Sequence, residues 1–219
     1  MNLKVCLDFL HGLKQNNNRE WFNENKNFYL QAKKEYEVAV NLLISQISKF
    51  DKRINSSLSA GDCIFRIYRD IRFSNDKTPY KPNFGAYISK GGRKSQLAGY
   101  YFHMEADSCL LSCGCWMPQP PQLKAIRNDI YENIEEFNSI LHDSSFGKYF
   151  NGIDGRKLQT APKGYPKDFE HIDLLKYKDY CITNSITEDF VLQKDFIEKA
   201  SEIFKVMFPF INFINEALE

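Results

Sequence analysis

The sequence has no hydrophobic stretch long enough to cross a membrane as a helix. Such a helix needs about 18 or more consecutive apolar residues, and no run of that kind occurs in the 219-residue chain. The first eight residues also lack a long apolar core and a small-residue cleavage site, so we expect no secretory signal. We therefore expect no membrane association.

A dominant charge of either sign is also missing. The chain has 29 Lys and Arg residues against 28 Asp and Glu, which gives a net charge of +1. No general electrostatic attraction to nucleic acid or to a membrane surface is therefore expected, although a local basic patch is compatible with this balance. The near-neutral charge counts against a nucleic-acid-binding protein.

The motifs of several well-known enzyme classes are absent. The sequence contains no nucleophile elbow, no phosphate-binding Walker loop, no dinucleotide fingerprint and no zinc-protease helix. Cys109, Cys113 and Cys115 share one parity, but a C-x-C spacing is not typical of structural zinc sites. The sequence therefore gives no reason to expect a cofactor or a bound metal.

The composition that is present is typical of a soluble globular protein, with 43% hydrophobic and 26% charged residues. The length suits one large domain or two small ones, and we favour a single domain over residues 1–219. Six cysteines in a chain of this size indicate reduced, buried thiols and a cytoplasmic location rather than a disulfide framework. Nothing in the sequence indicates an oligomeric state.

Apolar residues at helical spacing predict several amphipathic helices. The predicted helices cover residues 5–15, 19–50, 122–142 and 189–218. The second is a long N-terminal helix with Asn18 as its N-cap, and Asn25 interrupts its apolar stripe. A long C-terminal helix ends the chain.

Alternating apolar and polar residues predict an antiparallel sheet within residues 62–116. The predicted strands are residues 64–73, 84–89, 97–106 and 110–116. Their short links imply a meander, and residues 151–186 are interpreted as a loop with a short strand near Cys181. The predicted fold class is α+β, with an antiparallel β-meander packed against several helices.

The predicted strand over residues 64–73 has an unusual polar face. That face carries Arg66, Tyr68, Asp70 and Arg72 instead of the mixture of Thr, Ser and Lys that is common on a solvated sheet. Arg69 falls on the apolar face, where a guanidinium needs a partner because an unpaired buried charge is costly.

Five cationic side chains come close together in this strand and the loop after it, namely Arg66, Arg69, Arg72, Lys77 and Lys81. Such a cluster can hold a phosphate or a carboxylate, which arginine binds through two parallel hydrogen bonds. The alternative is an internal network in which Asp62, Asp70 and Asp76 neutralise these charges, since ion-pair networks imitate binding sites.

Further side chains complete the predicted site. The residues expected to line its wall or touch the ligand are Trp21, Asn25, Tyr68 and Tyr80. The candidates for proton transfer are Asp70, His103 and Glu105. His103 and Glu105 lie two residues apart on a predicted strand, hence on one side of the sheet. The alternative is a pair that only bonds its neighbours.

Three blocks of this sequence resemble a known family. They are residues 17–26 with Tyr29, residues 65–81, and residues 99–105 followed by Gly114, Pro118, Leu123 and Arg127. Together they resemble domain-of-unknown-function family 2461, a group of conserved hypothetical proteins. The resemblance implies a full-length, single-domain member, and it brings no established activity with it.

Three functions from different classes stay open. The first is binding, with or without turnover, of a small anionic metabolite at the basic and aromatic motif. The second is binding of single-stranded nucleic acid, with bases stacked on an exposed basic and aromatic sheet face. The third is a scaffold or partner-binding module in which the charged motif only stabilises the fold.

Overall fold

The computed structural model describes residues 1–55 and 57–219. Its centre is a four-stranded antiparallel sheet in which the strands lie in chain order. The strands are β1 (Asn83–Ile88), β2 (Gly99–Glu105), β3 (Cys109–Cys115) and β4 (Tyr180–Ile186). Together with the helices this confirms the predicted α+β meander, and β4 extends the short strand predicted near Cys181.

Helices precede the sheet, interrupt it and follow it. They are α1 (Leu3–Gln15), α2 (Arg19–Glu24), α3 (Lys26–Ile47), α4 (Ala60–Cys63), α5 (Pro120–Glu132), α6 (Ile134–Leu141), α7 (Ser144–Tyr149), α8 (Ile172–Leu175), α9 (Glu188–Val191) and α10 (Phe196–Leu218). No helix among these described residues is long and apolar enough to cross a bilayer.

Two predicted helices are each divided by an asparagine. Asn25 separates α2 from α3, and its side-chain amide donates a hydrogen bond to the Trp21 carbonyl at 2.9 Å. Asn133 separates α5 from α6 and donates to the Asp129 carboxylate at 2.8 Å. Asparagine interrupts helices because its side chain competes with the backbone for hydrogen bonds. The last predicted helix is also divided, into α9 and α10, by residues 192–195, which contain no asparagine.

One face of the sheet is buried against the helices. Tyr36 of α3 lies against Phe84 of β1 and Phe102 of β2, each with ring centroids 5.2 Å apart. Its hydroxyl donates to the Phe102 carbonyl at 2.7 Å, so the buried polar group is satisfied. All six cysteines are free and buried, as their number led us to expect. The opposite face, here called the outer face, carries the alternate residues of each strand.

The prediction of a strand over residues 64–73 is wrong. The segment makes only isolated bridges, Ile64 with Ala86 and Tyr68 with Tyr80, and Phe73 is 96% exposed. The chain folds back on itself instead, because the Arg69 amide donates to Pro79 at 3.0 Å and the Lys81 amide donates to Ile67 at 2.8 Å. We call residues 64–81 the basic loop.

The close packing of β3 on β4 leads to the first prediction. Gly114 has a φ of 122°, and a Cβ at this position would overlap the Tyr180 carbonyl. Replacing Gly114 with alanine is expected to lower the free energy of unfolding by about 3 kcal/mol, since backbone strain and a main-chain clash act together. Urea-induced unfolding followed by circular dichroism measures this change.

Gly147 in α7 provides the matched control, because a Cβ there would meet nothing within 4 Å. Gly147→Ala is expected to be neutral or stabilising by up to about 1 kcal/mol, as alanine favours helix more than glycine does. Equal effects of the two substitutions would contradict the described register of β3 and β4.

Candidate functional site

An open hollow of about 610 Å³ lies where the basic loop begins, beside α3, α4 and the turn Gly92–Lys94. We call it the basic hollow. Its cationic lining residues are Lys33, Arg66, Lys81, Arg93 and Lys94, and its one carboxylate is Glu37. Three separate parts of the chain, α3, the basic loop and the turn Gly92–Lys94, therefore bring positive charge to one concavity.

Most of this charge has no carboxylate partner in the described part of the chain. Lys33 pairs with Glu37, with 3.2 Å between Nζ and Oε1. Arg66, Lys81 and Lys94 form no ion pair with any of the residues that the structure describes. Like charges that share a concavity repel one another, so a bound anion would reduce the electrostatic repulsion in the hollow.

Arg93 uses only part of its hydrogen-bonding capacity within the protein. Its guanidinium donates to the Gly61 carbonyl at 2.6 Å, which uses one of its five N–H donors. The pKa of the nearby Asp62 carboxyl is lowered mainly by hydrogen bonds from Ser59, with a smaller contribution from Arg93. Asp62 therefore serves chiefly in the capping box of α4, where it accepts from Ser59, rather than as a counter-ion.

Lys81 reports most directly on the electrostatics of the basic hollow. Burial of the amine lowers its pKa, and the positive charge of Arg66 lowers it further. Its Nζ lies 5.4 Å from the centre of the Phe65 ring, a cation–π contact at the edge of the hollow. An anion placed beside Lys81 and Arg66 would favour the charged form of the lysine.

The remaining cations of the predicted cluster are satisfied within the basic loop. Arg69 pairs with Asp76 and Thr78, and Arg72 pairs with Asp70, with 2.7 Å between Nη2 and Oδ2. The pKa of Asp76 falls to about 2, mainly because the Thr78 amide donates to it and secondly because Arg69 does.

Lys77 donates to the Ile71 carbonyl at 3.0 Å. Like Arg69 and Arg72, it is not among the residues that line the basic hollow. For these two arginines the structure therefore shows the neutralising network that the sequence left open as the alternative.

Of the predicted wall residues, only Tyr68 lines the basic hollow, and it is 45% exposed. Tyr80 is buried and stacks on Phe22 at 3.9 Å between ring centroids. Trp21 packs against Phe9 at 5.9 Å, and Asn25 bonds the backbone between α2 and α3. None of these three residues is among those that line the basic hollow.

Sequence reasoning missed several residues that line the basic hollow, among them Tyr29, Lys33, Arg93 and Lys94. Tyr29 and Lys33 lie one turn apart on α3, a spacing that places them on one side of the helix. Arg93 and Lys94 follow two glycines in a turn, and no local pattern links them to residues 64–81. The pairing of the basic loop with β1 and the contact of the turn with α4 bring the two segments together.

The proton-transfer candidates on the outer face form a chain of hydrogen bonds. His103 Nε2 lies 2.9 Å from Glu105 Oε2, and His103 Nδ1 lies 2.9 Å from the Tyr101 hydroxyl. Burial, aided by the charge of Glu105, raises the pKa of Tyr101 to about 12. Tyr101 therefore stays protonated, and its hydroxyl and the Glu105 carboxylate lie against the two ring nitrogens of His103.

His103 and Glu105 lie side by side on β2, but they do not line the basic hollow. Asp70, the third candidate, lies in the basic loop and is held by Arg72. The structure thus brings two of the three candidates together and places the third elsewhere.

One group of side chains has the spacing of metal ligands. His11, Asp107 and Glu188 offer ligand atoms within 4.8 Å of one another. His11 Nε2 already pairs with Glu188 at 2.9 Å, and Lys14 Nζ pairs with Asp107 at 2.9 Å. Because a lysine ammonium already occupies this acidic group, its geometry is explained without a metal.

These features define an α+β protein with an antiparallel meander and a basic hollow at the sheet edge. The chain belongs to the family described as "Conserved hypothetical protein (DUF2461)", whose model matches residues 5–213. Comparison with curated proteins and with solved structures gives no significant match. Because the family description names no activity, a function can come only from the chemistry of the site.

The contrast between Arg69 and Arg66 leads to the second prediction. Arg69→Gln is expected to lower the free energy of unfolding by about 1 kcal/mol, because Asp76 and Thr78 lose their shared partner. Arg66→Gln is expected to stay within about 0.5 kcal/mol of the wild type, since Arg66 makes no ion pair in the described chain. Urea unfolding of both variants tests this, and a larger loss from Arg66→Gln would show that Arg66 has a structural role.

Proposed function

We propose that this protein binds a small anionic ligand, such as a phosphate or carboxylate compound, in the basic hollow. The observation that supports the proposal most strongly is the set Arg66, Lys81 and Lys94, which has no carboxylate partner among the described residues. A soluble protein gains nothing in stability from holding like charges together, so their convergence is better explained by a ligand.

The lining of the basic hollow matches the chemistry of an oxyanion. Arg66 presents a planar guanidinium, which can donate two parallel hydrogen bonds to one phosphate or carboxylate. Lys81 and Lys94 add compact positive charges that accept several approach geometries. The volume of about 610 Å³ is also in the range of metabolite-binding sites, which is about 300–1,000 Å³.

The proposal concerns binding rather than turnover. The proton-transfer candidates Asp70, His103 and Glu105 do not line the basic hollow, so no reacting group is assigned there. The nucleic-acid alternative needed a basic and aromatic strand over residues 64–73, and that segment is a loop. The scaffold alternative explains Arg69 and Arg72, but it leaves Arg66 without a role.

The third prediction compares two arginines of the same loop by isothermal titration calorimetry. Inorganic phosphate and citrate are titrated at low ionic strength into wild type, Arg66→Gln and Arg72→Gln. Arg66→Gln is expected to lower the affinity at least about tenfold, because a charge-assisted contact is worth about 1.5–3 kcal/mol. Arg72→Gln removes the same charge from a residue held by Asp70, so its affinity is expected to change less than about twofold.

Two results would overturn the proposal. One is the absence of saturable binding of both phosphate and citrate to the wild-type protein. The other is an equal loss of affinity in Arg66→Gln and Arg72→Gln, which would indicate general attraction to positive charge. Circular dichroism spectra of both variants establish that they remain folded.

A further inference from the structure

A second concavity, of about 430 Å³, lies on the outer face of the sheet. We call it the aromatic groove, since its lining includes Phe65, Tyr87, Tyr101 and Trp116. Tyr87 and Tyr101 are directly opposite each other in the β1–β2 register and form part of its floor. The groove thus presents aromatic surface where the sheet is not covered by the helices.

The aromatic groove adjoins the basic hollow at Phe65, which lines both. A third concavity of about 290 Å³ touches both and is lined in part by Phe65, Arg93 and Trp116. Lys81 Nζ, at 5.4 Å from the Phe65 ring centre, marks the boundary between charged and apolar lining. One ligand could therefore place an anionic group on one side of Phe65 and an apolar group on the other.

The hydroxyl groups that line the aromatic groove are already used within the protein, while its one carboxylate, Asp154, makes no side-chain hydrogen bond to a described residue. The Tyr87 hydroxyl lies 2.8 and 3.0 Å from the Leu97 and Gly114 carbonyl oxygens, which share its one proton. The Tyr101 hydroxyl is bonded to His103, and the Ser112 hydroxyl donates to the Ile182 carbonyl at 2.8 Å. The groove therefore offers ring faces and edges rather than free hydrogen-bond donors, which suits an apolar, flat ligand group.

Trp116 is held in place although 63% of it is exposed. Arg156 lies over its ring at 5.6 Å, and the fully buried Asp179 holds that guanidinium at 2.7 and 2.8 Å. The same carboxylate accepts from the Met117 amide at 2.8 Å, which fixes the backbone next to Trp116. A large exposed ring that is fixed by an arginine anchored to a buried carboxylate is suited to contact with a ligand.

We infer that the ligand is an aryl phosphate or aryl carboxylate, with its anionic group in the basic hollow and its ring in the aromatic groove between Phe65 and Trp116. This inference rests on the proposed function and extends it by naming the second half of the ligand. Charge selects one end of the molecule, and stacking on Trp116 selects the other.

The fourth prediction is tested with the probes 1-naphthyl phosphate and 1-naphthoate, compared with inorganic phosphate, citrate and 1-naphthol. Calorimetry is expected to give at least about tenfold tighter binding for the better naphthyl anion than for phosphate, citrate or naphthol, since one stacked ring is worth about 1–3 kcal/mol. The chain has two tryptophans, so Trp21→Phe leaves Trp116 as the only indole. Its fluorescence is expected to be quenched by the naphthyl anions and not by phosphate.

Variants separate the two halves of the site. Trp116→Ala is expected to lower the affinity for the naphthyl anions about tenfold and to leave phosphate binding unchanged. Phe73→Ala is the matched control, because Phe73 is 96% exposed, lies in the basic loop and lines neither concavity. It is expected to bind every probe like the wild type.

The outcomes distinguish this inference from the proposed function. If phosphate or citrate binds but neither naphthyl anion binds more tightly, or if Trp116→Ala has no effect, the aromatic half of the ligand is refuted and the basic hollow stands. If naphthol binds as tightly as the naphthyl anions, the joint site is refuted. If neither phosphate nor citrate binds saturably, the proposed function fails, and this inference, which rests on it, fails as well.

Discussion

Uncompensated positive charge is the constraint on which this account of the molecule depends. Arg66 and Lys81 share a concavity closely enough for one to lower the pKa of the other, and no described carboxylate pairs with either. The surrounding packing must therefore hold them together against their repulsion. Tyr80 does part of this, because it stacks on Phe22 and its backbone exchanges two hydrogen bonds with Asn17 at 3.0 and 3.2 Å.

Because the sheet has two different faces, the charged site also has an aromatic surface beside it. The face toward the helices buries rings such as Tyr36, and it accounts for much of the stability that strained or repulsive features elsewhere require. The outer face is free to carry Tyr101, Trp116 and the polar chain to Glu105. Because the basic loop crosses the edge of β1 at Ile64, it joins the charged concavity to this outer face. A ligand could therefore contact both without any rearrangement of the core.

Much of the fold could be predicted from the sequence, because helical and strand periods are local properties. The α+β class could be predicted from the helical periods of α1, α3 and α10 and the strand periods of β1, β2 and β3. Residues 64–73 misled the prediction, because their alternation resembles a strand while Asp70 and Asp76 bind neighbours within the loop. Arg66 and Lys81 could be predicted as site residues because they belong to the motif. Lys33 and Lys94 could not, because tertiary contacts that no local sequence pattern shows bring them to the hollow.

The pKa of Lys81 tests the central claim most directly. Its side chain can be followed by NMR over a pH titration, with the signal assigned from the Lys81→Arg variant, in the absence and presence of inorganic phosphate. In the free protein the pKa of Lys81 is expected to lie below the ordinary lysine value, because burial and Arg66 disfavour the charge, and to rise toward or above that value when phosphate binds. An ordinary pKa in the free protein that phosphate leaves unchanged would contradict it.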